Sequence, residues 1–494
     1  MAVTTPHLFL PRLLISLLLL FLVSNAAAKP IEYQTLVVSP LQKPSSLAGD
    51  DDLLAGTLAE SAEDAATSYL HLRVAHRDSL LSSNSKATAD EILRLRLDRD
   101  AARVSRLHGS LAAATGSNAT GHHHRGGFSS AVVSGLAQGS GEYFTRIGIG
   151  TPPSSAYMVL DTGSDVVWIQ CAPCRRCYTQ SDPVFDPRRS RSYSSVTCDA
   201  PLCRRLEASG GCNVRTKSCL YEVSYGDGSI TTGDFSTETL TFSGGARVGR
   251  IALGCGHDNE GLFVAAAGLL GLGRGRLSFP SQAGRRFGRR FSYCLVDRTS
   301  SPSTSRSSSV VFGDSALPAS GIAYTPMVRN PKMETFYYVE MTAISVGGTR
   351  VPGVAASNLK LDPATGKGGV IVDSGTSVTR LTKAAYAAVR DAFKSGAADL
   401  RAAAGGFSLF DTCYDLSGRT EVKVPTVVMH FAGGAQVALP AENYLIPVDT
   451  KGTFCFAFAG TDSGVSIIGN IQQQGFRVVF DGDKEKLAFV PKGC

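Results

Sequence analysis

Charge is scarce in this sequence, and so are long apolar runs. Only 18% of the 494 residues are Asp, Glu, Lys or Arg, while 43% are hydrophobic, enough for a large buried interior. The net charge of +7 has no focus: residues 29–129 hold 11 basic and 12 acidic side chains, and residues 130–494 hold 37 and 30. The densest basic piece, GRRFGRR at 284–290, comes with no nucleic-acid motif, so it reads as solvated surface and no nucleic acid is expected as a partner. The one long apolar run, LLISLLLLFLV at 13–23, is 11 residues, short of the ~20 that span a bilayer. With Arg12 before it and the small residues SNAAA after it, residues 1–28 read as a cleaved signal peptide, not a stable membrane anchor. The C-terminal PKGC has neither a hydrophobic anchor tail nor a retention tetrapeptide. Export to the cell wall or apoplast is the expectation, with the vacuole as the other endpoint.

Other absences narrow the chemistry. There is no HExxH metal motif, no GxxxxGK[ST] phosphate loop and no GxSxG in the setting of a serine elbow. No cysteine precedes residue 171. The twelve that follow are Cys171, Cys174, Cys177, Cys198, Cys203, Cys212, Cys219, Cys255, Cys294, Cys413, Cys455 and Cys494. Cys171, Cys174 and Cys177 stand close together, but the later cysteines lack the spacing of a zinc site, and an even number in a secretory chain predicts disulfides. Their connectivity is not readable from spacing. His122, His123 and His124 sit in a Gly-rich stretch with no other ligand cluster and read as a solvated loop. No metal and no cofactor is expected.

Residues 29–125 contain no Cys and few aromatics. Within them, ADEILRLRLDRDAARVSRLHGSL at 89–111 carries apolar residues at helical spacing, with Asp90 as the expected N-cap. Asn118-Ala119-Thr120 is the sole glycosylation sequon. From Gly141 onward, short β-branched and aromatic runs alternate with Gly, Pro, Asn and Asp, an all-β pattern. A second helix is expected at 384–403, and the Ser-rich stretch 298–309 reads as a loop or interlobe connection.

A repeat organises this β region. YMVLDTGS at 157–164 matches GVIVDSGT at 369–376, and each is followed by an apolar pair and Gly: Leu269-Leu270-Gly271 and Ile467-Ile468-Gly469. The intervals from Asp to that Gly are 110 and 96 residues. Each half thus supplies one Asp, Asp161 or Asp373, at a strand end, and a two-fold arrangement brings them together. Two adjacent carboxylates share one proton: the ionised one takes a proton from water, and the protonated one donates to a peptide carbonyl. Gly163 and Gly375 permit sharp turns and close approach. Thr162, Ser164, Ser374 and Thr376 place hydroxyls where they can orient the carboxylates.

These tetrapeptides resemble those of the pepsin-like aspartic proteases, two β lobes around a cleft. Tyr225-Gly226-Asp227-Gly228-Ser229 resembles the family's flap, a hairpin that closes over substrate, and Trp168 stands where the family often has a Trp supporting the flap Tyr. CAPCRRC at 171–177, the Cys-rich insert through Cys219, GCGHDNEGLF at 254–263 and FSYCLVDR at 291–298 are similar to the nepenthesin-type plant aspartic proteases. The resemblance covers 141–494. It implies an all-β bilobal acid-protease fold: signal peptide 1–28, prosegment 29–133, first lobe 134–315 with the Cys-rich insert and flap, and second lobe 316–494. It also implies a Cys413–Cys455 disulfide, a Cys-rich insert that pins a loop on the flap side, cleavage of proteins or peptides at acidic pH, sensitivity to pepstatin-like inhibitors and a monomer.

In family zymogens the prosegment acts as a latch. Here the basic stripe Arg94, Arg96, Arg99, Arg103 and Arg106 is expected near the cleft carboxylates, diluted by Asp98 and Asp100. The alternative function is a catalytically silent binding or inhibitor protein on the same scaffold. A glycosidase is disfavoured, since its two acids stand about 5–10 Å apart and need no duplicated Asp-Thr/Ser-Gly.

Overall fold

The computed structural model describes residues 30–42, 69–78, 87–114, 143–225, 229–261, 266–296, 308–318 and 322–494. The expected signal peptide, the Asn118 sequon, His122–His124, most of the Ser-rich stretch and Gly226, Asp227 and Gly228 lie outside the described residues.

The architecture is strand-dominated and bilobal, as the sequence predicts. Strands β1 (Tyr33–Val37) and β2 (Tyr69–His76) and the helix α1 (Ala89–Ala114) precede the first lobe. That lobe begins with β3 (Tyr143–Ile149), β4 (Ser154–Asp161) and β5 (Trp168–Gln170). β3 and β4 form an antiparallel pair from Phe144↔Val159 to Ile149↔Ser154. The long ribbon of Ile230–Thr241 and Arg247–Glu260 folds over them, and its first strand largely alternates buried and half-buried positions, one face on the core.

The repeated motif has a structural reason. β4 runs parallel to Gly268–Gly271, with Gly271 beside Asp161. In the second lobe Val370–Val372 runs parallel to Ser466–Ile468 in the same manner. The chain leaving each Asp passes close to the Gly that ends the partner strand. A Cβ on Gly271 would lie 2.3 Å from the Asp165 carbonyl oxygen, and one on Gly469 would lie 2.6 Å from that of Ser377. Only Gly fits at either place, which is why both apolar pairs close on it.

An antiparallel sheet joins the lobes. Its order is β3, β2, Ser308–Gly313, Arg290–Cys294, Arg477–Asp481 and Lys486–Val490. Phe291 and Phe480 stack beneath it at 4.5 Å between ring centres. The N-terminal region therefore carries more structure than its composition suggests: β2 is an interior strand of this sheet, and β1 pairs with Glu421–Pro425 of the second lobe.

Two local expectations are corrected. The N-cap of α1 is Thr88, not Asp90: the Thr88 hydroxyl accepts from Glu91 N at 3.3 Å, and Glu91 Oε2 accepts from Thr88 N at 2.7 Å, a reciprocal capping box. The second-lobe helix spans Lys383–Gly396 and stops short of the expected 403. Gly396 is a poor helix former and packs on Pro425. Past it, Ala403 N bonds instead to the Cys413 carbonyl.

Candidate active site

Asp161 and Asp373 meet at the lobe junction, each at the end of its parallel strand and both almost fully buried. Their hydrogen bonds mirror one another. Asp161 accepts from Gly163 N at 2.9 Å and the Ser164 hydroxyl at 2.9 Å. Asp373 accepts from Gly375 N at 3.1 Å and the Thr376 hydroxyl at 2.6 Å. Beneath them the two tetrapeptides clasp: Ser374 N donates to the Thr162 hydroxyl at 2.8 Å, and Thr162 N donates to the Ser374 hydroxyl at 3.3 Å. All eight residues of the two motifs are thus brought together.

The guanidinium of Arg103, on α1, sits over the pair. Its Nη2 lies 2.8 Å from Asp161 Oδ1 and 3.0 Å from Asp373 Oδ2. One nitrogen therefore contacts both carboxylates. A Cβ on Gly163 or Gly375 would stand 2.6 or 2.5 Å from that nitrogen, so both glycines keep open the space above the pair. Burial raises the Asp161 carboxyl above its usual range; Arg103 pulls it down, the Asp373 charge pushes it up again, and burial prevails. Burial also works against the Arg103 charge, but the two carboxylates outweigh it and hold the guanidinium protonated.

α1 lies against the second lobe with one face buried. Leu93 and Leu97 pack among Val378, Phe407, Phe410 and Ile471, and Val104 and Leu107 pack among Phe336, Tyr338 and Ile467. The basic stripe divides its labour. Among the described side chains of the stripe, only Arg103 reaches the dyad. Arg96 and Arg99 pair with Asp78 of the N-terminal region, and Arg94 stacks on the Phe407 ring at 3.9 Å. The Arg106 side chain lies outside the described residues. Asp98 is exposed, whereas Asp100 is buried and paired with Arg380.

Trp168 donates its indole N–H to the Tyr225 hydroxyl at 2.6 Å, and Tyr225 N bonds the Ser229 carbonyl across the turn. The cysteines pair as Cys171–Cys255, Cys174–Cys177, Cys198–Cys212, Cys203–Cys219, Cys294–Cys494 and Cys413–Cys455. Cys198–Cys212 and Cys203–Cys219 brace the insert against the strand Cys219–Ser224, which leads into Tyr225. Among the described residues no group of three or more His, Cys, Asp or Glu side chains could hold a metal ion, and no helix is long and apolar enough to cross a membrane.

Several site residues escape sequence reasoning. Gln473 donates to the Asp373 carbonyl at 3.2 Å and to that of Ile468 at 2.7 Å. Asn470 donates to the Ser374 carbonyl at 3.0 Å. Asp165 accepts from the Thr335 hydroxyl at 2.7 Å and from Gly275 N at 2.9 Å, binding the loop after Asp161 to the segment before Tyr337–Val339 and to the loop after Gly268–Gly271. Burial raises the Asp165 carboxyl, against those two hydrogen bonds. Asn470 and Gln473 follow the second apolar-apolar-Gly closely, the one signal that could have marked them.

Residues 143–314 match the family model described as "Xylanase inhibitor N-terminal", and residues 336–491 match "Xylanase inhibitor C-terminal". The chain is 59% identical to "Aspartyl protease family protein 2" of Arabidopsis thaliana over 98% of each chain. It is 48% identical to "Protein ASPARTIC PROTEASE IN GUARD CELL 2" of the same organism, over 87% of this chain and 89% of the other. To "Aspartic proteinase nepenthesin-1" of Nepenthes gracilis it is 36% identical, over 84% and 89%. Among solved structures, edgp aligns with a TM-score of 0.57 at 21% identity over 71% of this chain and 91% of the other. Basic 7S globulin from soybean aligns at 0.53 and 18% identity, over 70% and 91%. With its duplicated Asp-Thr/Ser-Gly set in two joined lobes, the chain belongs to the pepsin-like aspartic endopeptidases, among the nepenthesin-type plant members.

Proposed function

We propose that Asp161 and Asp373 are the catalytic pair and that the chain is made as a zymogen in which α1 closes the cleft. One observation carries this: a single Arg103 nitrogen contacts both carboxylates. A peptide carbonyl and the water that attacks it must come to that same place. Once α1 leaves, the pair shares one proton. The ionised carboxylate deprotonates the water while the protonated one donates to the carbonyl oxygen, and the proton gained from water then passes to the leaving amine. The Thr162–Ser374 clasp and the four bonds from Gly163, Ser164, Gly375 and Thr376 fix the carboxylates for this exchange. Tyr225, held by Trp168, flanks the cleft as the flap residue.

The twelve paired cysteines support passage through an oxidising compartment, in keeping with a signal peptide at 1–28 and export to the cell wall or, alternatively, the vacuole. Asn118 is the expected glycan site, pepstatin-like compounds the expected inhibitors and the monomer the expected state. The test is to acidify the secreted protein from neutral pH and assay cleavage of a denatured protein. Activity that is blocked by pepstatin and falls at least about a hundredfold in Asp161→Asn and in Asp373→Asn supports the reading. Folded protein that never cleaves, even after removal of 1–133, favours a silent binding protein instead, the reading that the names of the matching family models suggest.

A further inference from the structure

We infer that the cleft contains a carboxylate-accepting subsite built from Arg380 and the backbone N–H groups of Ser377 and Val378, which selects acidic side chains in the substrate. The inference rests on the protease reading above. Asp100 of α1 fills the subsite. Its Oδ1 accepts from Ser377 N at 2.5 Å and from Val378 N at 3.3 Å, and its Oδ2 accepts from Arg380 Nη2 at 2.5 Å. The Asp100 side chain is fully enclosed and that of Arg380 is 6% exposed. The Arg380 Nε is buried with no hydrogen-bond partner among the described residues, so the guanidinium retains donor capacity beyond what Asp100 uses.

Three features make this a recognition site. It is assembled four to seven residues past Asp373, at the start of the strand Thr379–Thr382, so it is tied by a short piece of chain to one carboxylate of the dyad. It lies beside the dyad: Asp100 is three residues from Arg103, about 4.5 Å along a helix axis. An extended peptide advances about 3.3 Å per residue, so the accepted carboxylate belongs within about three residues of the bond cut. Finally, the guanidinium cannot shed its charge when α1 departs. Two converging N–H groups and a fixed cation then match an incoming Asp or Glu far better than an apolar side chain.

The test uses the acid-processed enzyme at about pH 5, where a substrate carboxylate is ionised. Peptides carry Asp or Asn in turn at each of three positions on either side of a fixed apolar pair. The expected result is one position at which Asp exceeds Asn about tenfold or more in kcat/KM. Arg380→Met should bring that ratio to about one, and Arg380→Glu should favour Lys there instead. If Arg380→Met fails to fold because Asp100 loses its partner, the Asp100→Asn/Arg380→Met double variant reads the same ratio. Cleavage with no Asp preference at any of the six positions would overturn the subsite and leave the protease standing. Inactivity of the wild-type enzyme on every peptide would overturn the protease reading, and the subsite with it.

Discussion

Trp168 holds the Tyr225 hydroxyl at 2.6 Å, and both rings are buried in the first lobe beside Leu269 and Phe235. β5 carries the Trp, and it pairs with the very strand that ends beside Asp161. Tyr225 and the strand that carries Asp161 are thus set by one small unit.

Trp168→Phe removes the donor and keeps most of the ring. A Tyr hydroxyl that loses a buried partner costs about 1–3 kcal/mol. Part of that cost should appear as stability and part as a displaced Tyr225. Urea denaturation should show the former. Steady-state kinetics should show a KM raised several-fold with a smaller change in kcat, since the dyad geometry is untouched.

Arg103→Met should loosen closure most at neutral pH. In the native chain one guanidinium nitrogen contacts both carboxylates and opposes the effect of burial on Asp161. With Met in its place an ionised dyad would be covered without a cation, which is costly, so closure would depend more on protonation than in the native chain. The protection of the α1 amides, corrected for the base-catalysed intrinsic rate, should fall below the native value at pH 7, and the difference should narrow at pH 4.

His257 and Asp234 form a pH-limited brace. His257 Nε2 lies 3.2 Å from Asp234 Oδ2, and its Nδ1 lies 3.0 Å from the Pro173 carbonyl in the Cys-rich loop. The hydrogen bond to Asp234 raises the His257 pKa, and the same contact lowers that of Asp234. A raised His contributes fully below its unfolded value of about 6.5, and this is lost as pH climbs through the folded value. A lowered Asp contributes above about 3.9, and this is lost as pH falls through its folded value. The window runs from about pH 4 to 6.5. His257→Gln should lower Tm by a few degrees at pH 5 and leave it nearly unchanged at pH 8.5.

Cys294–Cys494 ties the chain end to a central strand of the interlobe sheet across 200 residues. Crosslinks that close long loops restrict the unfolded chain most. Cys294→Ser/Cys494→Ser should cost about 2–5 kcal/mol, read as a lower denaturant midpoint, with the lobes more readily separated.

The repeat was the most legible feature of the sequence. Asp161 and Asp373 with their neighbours could be placed because each lobe needs the same short words in the same order. Gly271 and Gly469 were visible for a steric reason, since neither tolerates a Cβ. Arg380, Asp165 and Gln473 were not legible. Their partners lie 280, 170 and 100 positions away, and no local pattern encodes such pairings. The sequence places the five arginines of α1 near the cleft carboxylates without saying which of them meets the dyad. The fold gives Arg103 to the dyad and Arg96 and Arg99 to Asp78, a division set by which side chains face the cleft. β2 was missed although YLHLRVAH alternates, with Leu70, Leu72 and Val74 buried. The low aromatic content around it hid a period-2 pattern that the sheet uses.

β2 runs between Ser308–Gly313 and β3, hydrogen-bonded on both sides, while β1 is laced to the second lobe and α1 lies in the cleft. On the zymogen reading proposed above, a cut within 115–142 would therefore produce a nicked two-chain complex before an open enzyme. The onset of activity would be governed by the off-rate of a bound polypeptide and not by the cut. Its rate would be independent of dilution while its extent rose, and it would reverse when the excised piece is added back and lag behind the appearance of the shorter band on a gel.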